Sequence, residues 1–180
     1  MQTGVREILQ ANLDAVERRI ASPCRRAGRP RADVALIAVT KTVDAEVAGV
    51  LPGLGIADLG ESRPQELWRK AEALQRGASA GVRWHMIGHL QRNKVERTLP
   101  LAALIHSVDS LRLLDAIEEE AGRQARQVRV LLEFNTSGEA SKHGFAEADV
   151  PGIAARARGL HYVAIDGVMT MAALQEPEAC

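Results

Sequence analysis

Val5, Leu9, Leu13, Val16 and Ile20 recur at intervals of three and four residues, the spacing of one apolar face of a surface helix. The stretch "CRRAGRPRAD" that follows is basic and broken by Gly28 and Pro30, which marks a turn. Beyond it the pattern changes. Short apolar runs at 34–39, 55–59, 82–87, 104–108, 128–134 and 162–168 read as strands. Between them lie segments of helical periodicity: Leu67, Ala71 and Leu74 after "SRPQE", and Leu111, Leu114 and Ile117 behind a cap at Asp109. Strands alternating with helices of this length predict βα units and a parallel sheet, apolar on both faces. The class is α/β.

Periodicity does not separate an open doubly wound sheet from a closed barrel. A dinucleotide-binding sheet opens with G-x-G-x-x-G after its first strand, and here the first turn, "TKTVDAE", has no glycine. The pair in "GLGIAD" from Gly53 precedes the second strand, lacks the third glycine and reads as a helix stop. No phosphate-loop motif is present.

The turns carry polar groups instead. Lys41 follows strand one, Glu61 and Ser62 follow strand two, and "HMIGHLQRNK" covers the end of strand three. Ser107 and Asp109 follow strand four, Asn135 and Ser137 strand five, and Met169 and Thr170 strand six. In a (β/α) barrel such ends converge on one face, which predicts a shared pocket. A lysine at a strand terminus ordinarily reaches solvent. At the mouth of an apolar barrel, partial desolvation would leave an amine able to attack an aldehyde.

His85 and His89 stand four apart, but "VRWHMIG" reads as strand and the glutamate of a zinc-protease helix is absent. They are expected as a buried hydrogen-bonded residue and a loop residue, with no metal. "QRNKVER" reads as a solvated helix start, and Met169 and Met171 as core filling.

Composition narrows the partners. The chain has 180 residues, 46% hydrophobic and 26% charged, with 23 basic against 23 acidic side chains, so no net field favours nucleic acid. At 3% aromatic it is poor in base-stacking surfaces. It has neither a signal-peptide pattern nor about eighteen consecutive apolar residues. Cys24 and Cys180 are too few and too far apart for a disulfide framework, which suits a reducing cytoplasm. One domain over 1–180 is expected: a helix and turn over 1–27, then βα units over 33–180.

The segments "AVTKT", "DLGESRPQEL", "WHMIGHLQRNKV", "HSVD", "LLEFNTSGEASKHGF" and "GVMTM", in this order, resemble the pyridoxal phosphate homeostasis protein family. These are small barrels similar to the N-terminal domain of alanine racemase. The resemblance implies a (β/α) TIM-type barrel that holds pyridoxal 5′-phosphate (PLP) as a Schiff base on Lys41. It implies a carrier in vitamin B6 homeostasis, monomeric, with no established turnover and so no catalytic residue, and with PLP-dependent apoenzymes as possible recipients. By matching positions, Val39, Ser62, His85, Ile87, Gly88 and Met169 would line the cofactor pocket. Ser62 stands where many members have asparagine, and His89 where proline is common.

Family members continue through two more strands that bring phosphate contacts and an arginine. This chain stops after "MTMAALQEPEAC", so six of the eight expected strands are present. A truncated product with two unpaired edges and weakened cofactor affinity is the expectation. Two rival readings remain. One is a racemase-like enzyme, for which Tyr162, the single tyrosine, lies at the wrong end of strand six and no second domain is present. The other is a remnant that no longer binds the cofactor.

Overall fold

The structure, a computed structural model, describes residues 2–75, 81–136 and 143–171. Helix α1 (Gln2–Arg26) leads into β1 (Ala38–Val39), α2 (Ala45–Ala48), β2 (Asp58–Glu61), α3 (Pro64–Gln75) and β3 (Arg83–Met86). Then follow α4 (Val95–Thr98), β4 (Ala102–Val108), α5 (Leu111–Arg123), β5 (Val128–Glu133), α6 (Val150–Ala157) and β6 (Val163–Met169). The strands form one six-stranded sheet in the order β1-β2-β3-β4-β5-β6, with every neighbouring pair parallel. Each connection therefore steps one strand along in the same direction. A doubly wound sheet reverses its strand order at a switch point; this one never does, which is the winding of a barrel.

Register divides the sheet into two faces. Ala38, Leu59 and Trp84 pair across β1–β3, as do Val39, Gly60 and His85 beside them. Leu59, Trp84, Met86, Ile105, Val130 and Leu132 are buried together with Leu67 and Ala71 of α3 and Leu114, Ile117 and Ala121 of α5. Each such large side chain contributes about 1.5–3 kcal/mol by leaving water. The other face is more open: Val39 of β1 is 50% exposed. Leu9 and Leu13 of α1 pack against the core, and Glu17 of α1 accepts two hydrogen bonds from Arg31 at 2.8 and 2.6 Å.

Several boundaries differ from the sequence reading. The first strand pairs only at Ala38–Val39, because Val34 closes a short 3-10 turn over Arg31–Asp33. The second strand is Asp58–Glu61, two residues beyond the expected end, so Glu61 lies within it and not after it. Glycine and glutamate are poor strand formers, and hydrophobic runs alone stop short of them. The cap of α5 is Ser110, whose Oγ accepts from the Leu113 amide at 3.3 Å; Asp109 precedes it. Met171 is 56% exposed and does not fill the core. The glycine stop is present, with Gly55 at φ 85° closing the turn Pro52–Leu54.

Candidate functional site

The ends of β1, β2 and β3 are held together from below. Thr40 N–H donates to the Gly60 carbonyl at 3.0 Å and Ile87 N–H to the Glu61 carbonyl at 2.9 Å. On the helix side, Lys70 of α3 puts its ammonium 2.5 Å from Glu61 Oε1 and 2.7 Å from the Thr40 carbonyl. The Thr40 hydroxyl donates to the same carboxylate oxygen at 2.6 Å. Both charged side chains are 1% exposed. Glu61 is thus a structural anion under the strand ends and not a member of the expected pocket.

Lys41 follows Thr40 and is exposed, so burial does not supply the desolvation a barrel mouth would give. Among the described residues no hydrogen bond or ion pair engages it. On the open face of the sheet the residue between Val39 and His85 is a glycine. A Cβ on Gly60 would stand 3.2 Å from Ile37 Cγ2 and 3.3 Å from Ile87 Cδ1, so these side chains close over the bare glycine. At Gly88 a Cβ would come within 2.3 Å of the Ser62 carbonyl oxygen. The two connections after β2 and β3 can approach this closely only because residue 88 has no side chain.

His85 is buried, as expected, and both its ring nitrogens are occupied. Nε2 lies 2.9 Å from Asp58 Oδ1 and Nδ1 lies 2.9 Å from Nε2 of His106. Arg83 grips the same aspartate through Nε and one terminal guanidinium nitrogen. That guanidinium beside it holds the Asp58 carboxyl below its usual range, with His85 adding to the effect. Burial, with His85 alongside, pushes His106 down to about 4. Asp58 accepts from His85 Nε2, and one proton bridges His85 Nδ1 and His106 Nε2. Toward any ligand at the strand ends His85 offers a ring face and no free nitrogen.

Of the other expected residues, Val39, Ser62, Ile87 and Gly88 stand at or just beyond the ends of three adjacent strands, β1, β2 and β3. Met169 ends β6, on the opposite edge of the sheet. Ser107 is buried and donates to the Gly88 carbonyl at 2.5 Å, which ties the Gly88 turn to β4. Thr170 donates to the Phe134 carbonyl at 3.0 Å. Ser137 lies outside the described residues. The sequence reading missed Lys70, although it sits three residues after Leu67 on the apolar stripe of α3, where a lysine must find a buried partner. It also missed His106 and the contact of His89 with Asp109, whose nearest ring and carboxylate atoms are 2.8 Å apart. Glu133, at the end of β5, has its carboxyl pushed up, by burial first and then by the Asp109 charge.

The family model for the alanine racemase N-terminal domain matches residues 11–179. The pyridoxal phosphate homeostasis protein of Pseudomonas aeruginosa is 34% identical over 168 residues, which are 93% of this chain and 70% of that protein. A crystal structure of an unknown protein from Bifidobacterium adolescentis superposes with a TM-score of 0.87 at 35% identity, covering 98% of this chain and 74% of that one. The structure of PipY from Synechococcus elongatus with PLP bound superposes at 0.76 and 30% identity, covering 91% and 74%.

Proposed function

The chain belongs to the alanine racemase N-terminal domain family, and from that membership we propose that it is a PLP-binding protein of vitamin B6 homeostasis that works without catalytic turnover. The observation that carries the reading is Lys41. Of the two lysines near the ends of β1–β3, Lys70 is spent on Glu61 and Thr40, and Lys41 is exposed one residue beyond Thr40, whose amide bonds the Gly60 carbonyl where Ile37 and Ile87 close over the glycine. The residues present fit a flat aromatic aldehyde. When bound, PLP supplies an aldehyde that condenses reversibly with a primary amine, releasing water.

In this reading Lys41 supplies the amine. Val39 and Ile87 give apolar walls, Gly88 lets the loop come close, and Ser62 offers a hydroxyl. His85 presents its ring face, and Met169 adds a wall from β6. The one tyrosine, Tyr162, precedes β6 and packs over Gly122, where a Cβ would meet its ring at 3.1 Å. It is at the opposite end of the strands from Lys41, far from where a second proton-transfer group would be needed, which supports binding without turnover.

Residues 1–180 act in this reading as one cofactor-binding unit, a monomer that passes PLP to PLP-dependent apoenzymes in the cytoplasm. The free, buried thiol of Cys24 suits a reducing compartment, and no helix of the described residues is long and apolar enough to cross a membrane. The test is to mix the protein with PLP, record the absorbance of the covalent adduct, reduce with borohydride and map the labelled peptide. Label on Lys41, lost in Lys41→Ala, is the expected result. Label spread over other lysines, or no adduct, would overturn the reading.

A further inference from the structure

We propose that His89, Asp109 and His143 form a binding site for a divalent transition-metal cation of the zinc class, distinct from the amine at Lys41. The three residues come from three separate connections: the one after β3, the one after β4, and the one between β5 and α6. Their ligand atoms nonetheless lie within 4.8 Å of one another. His89 Nδ1 is 2.8 Å and His143 Nδ1 is 3.8 Å from the same carboxylate oxygen, Asp109 Oδ2. The two imidazole rings stack at 4.6 Å and 18°, so both present the same edge to the carboxylate.

This geometry is close to what a metal needs. With bonds of about 2.0–2.1 Å, tetrahedral ligand atoms stand roughly 3.3–3.5 Å apart. One contact to the carboxylate must open and the other close by about half an ångström, and the stacked rings must turn so that their nitrogens, within 4.8 Å of each other, converge. Both histidines have room to move, at 46% and 65% side-chain exposure, while the aspartate is held at 8%. Its other oxygen, Oδ1, accepts from the Ser110 hydroxyl at 3.1 Å, which leaves Oδ2 turned toward the rings.

The donor set selects the ion. Two imidazoles and one carboxylate are borderline ligands that favour Zn²⁺, Ni²⁺, Co²⁺ or Cu²⁺ over Mg²⁺ and Ca²⁺, which prefer all-oxygen shells. Three protein ligands leave a position for water or a further ligand. Bound there, the ion would tie together the connections after β3, β4 and β5. The first of these carries Gly88, so the cation would also stiffen one rim of the strand-end face.

The experiment titrates metal-free full-length protein with ZnCl₂ by calorimetry and follows thermal melting with ZnCl₂, CoCl₂ or MgCl₂ before and after EDTA. The wild-type chain is expected to bind one Zn²⁺, to melt at a higher temperature in a way EDTA reverses, and to give the visible absorbance of ligated Co²⁺. His89→Gln and His143→Gln should each weaken binding by at least about tenfold, with unchanged circular dichroism, since both side chains are exposed. His161→Gln, an exposed histidine elsewhere, should bind as wild type. Absence of Zn²⁺ binding, equal stabilisation by MgCl₂, or wild-type affinity in His89→Gln and His143→Gln would each overturn the proposal.

Discussion

The ammonium of Lys70 lies 2.5 Å from a carboxylate oxygen of Glu61, with both side chains 1% exposed. The same ammonium also takes the carbonyl of Thr40, the peptide group that leads into Lys41, so a buried ion pair fixes the backbone from which the exposed amine projects. The second Glu61 oxygen, Oε2, is buried with no hydrogen-bond partner, so the pair has no spare satisfaction to absorb a loss. Lys70→Met leaves Glu61 an uncompensated buried charge and should cost about 3–5 kcal/mol. The double variant Lys70→Met with Glu61→Leu should cost markedly less, because no charge is stranded. Urea denaturation of the single and double variants checks both.

Gly88→Ala places a methyl group 2.3 Å from the Ser62 carbonyl oxygen and 2.8 Å from its Cα. Backbone cannot swing aside as a side-chain tip can, so the connections after β2 and β3 must separate. The expected loss is about 1–3 kcal/mol, read as a lower urea midpoint. The PLP adduct should weaken as well, since the loop beside Lys41 moves. Gly152→Ala is the control, because its Cβ would meet only Leu111 Cδ1 at 3.8 Å.

Stability should fall with acid over a window set by His106. Burial, with His85 beside it, lowers this histidine from 6.5 to about 4 in the folded chain. A depressed folded value means that the unfolded chain takes up the proton first. The contribution is complete above pH 6.5 and is lost as pH falls from there through about 4. Asp58, held low by Arg83, acts in the same direction below its ordinary range. His106→Gln keeps an amide able to hydrogen-bond His85 and does not titrate, so its stability should be flatter across that window in urea melts taken at successive pH values.

Lys41→Ala should leave the fold untouched. Its side chain is exposed, and surface changes of this kind stay within about 0.5 kcal/mol. The variant should therefore separate cofactor attachment from stability: the adduct is lost while the urea midpoint holds. A large drop in that midpoint would mean that Lys41 carries structural weight.

Much of the site was legible in sequence because local rules govern it. The place of Lys41 follows from the end of an apolar run, whereas Val39 and Gly88 entered only through the family resemblance. The α5 face of Leu114 and Ile117 follows from helical spacing. Glu61 was misread, and the partners of His89 were missed, for a different reason. Each takes its role from a partner on another element, Lys70 in one case and Asp109 with His143 in the other, and no spacing along the chain reports such a meeting.

By itself the sequence determined the alternation of strand and helix, the parallel sheet and the lysine at its first edge, since hydrophobic period and turn chemistry act over a few residues. Only the tertiary structure decided which strand ends share a side of the sheet, that His85 spends both nitrogens on Asp58 and His106, and that three separate connections bring two imidazoles to one carboxylate. The physical reason is that contacts across strands depend on register and on close backbone approach. Those are set by the packing of the whole sheet against its helices and are written in no single segment.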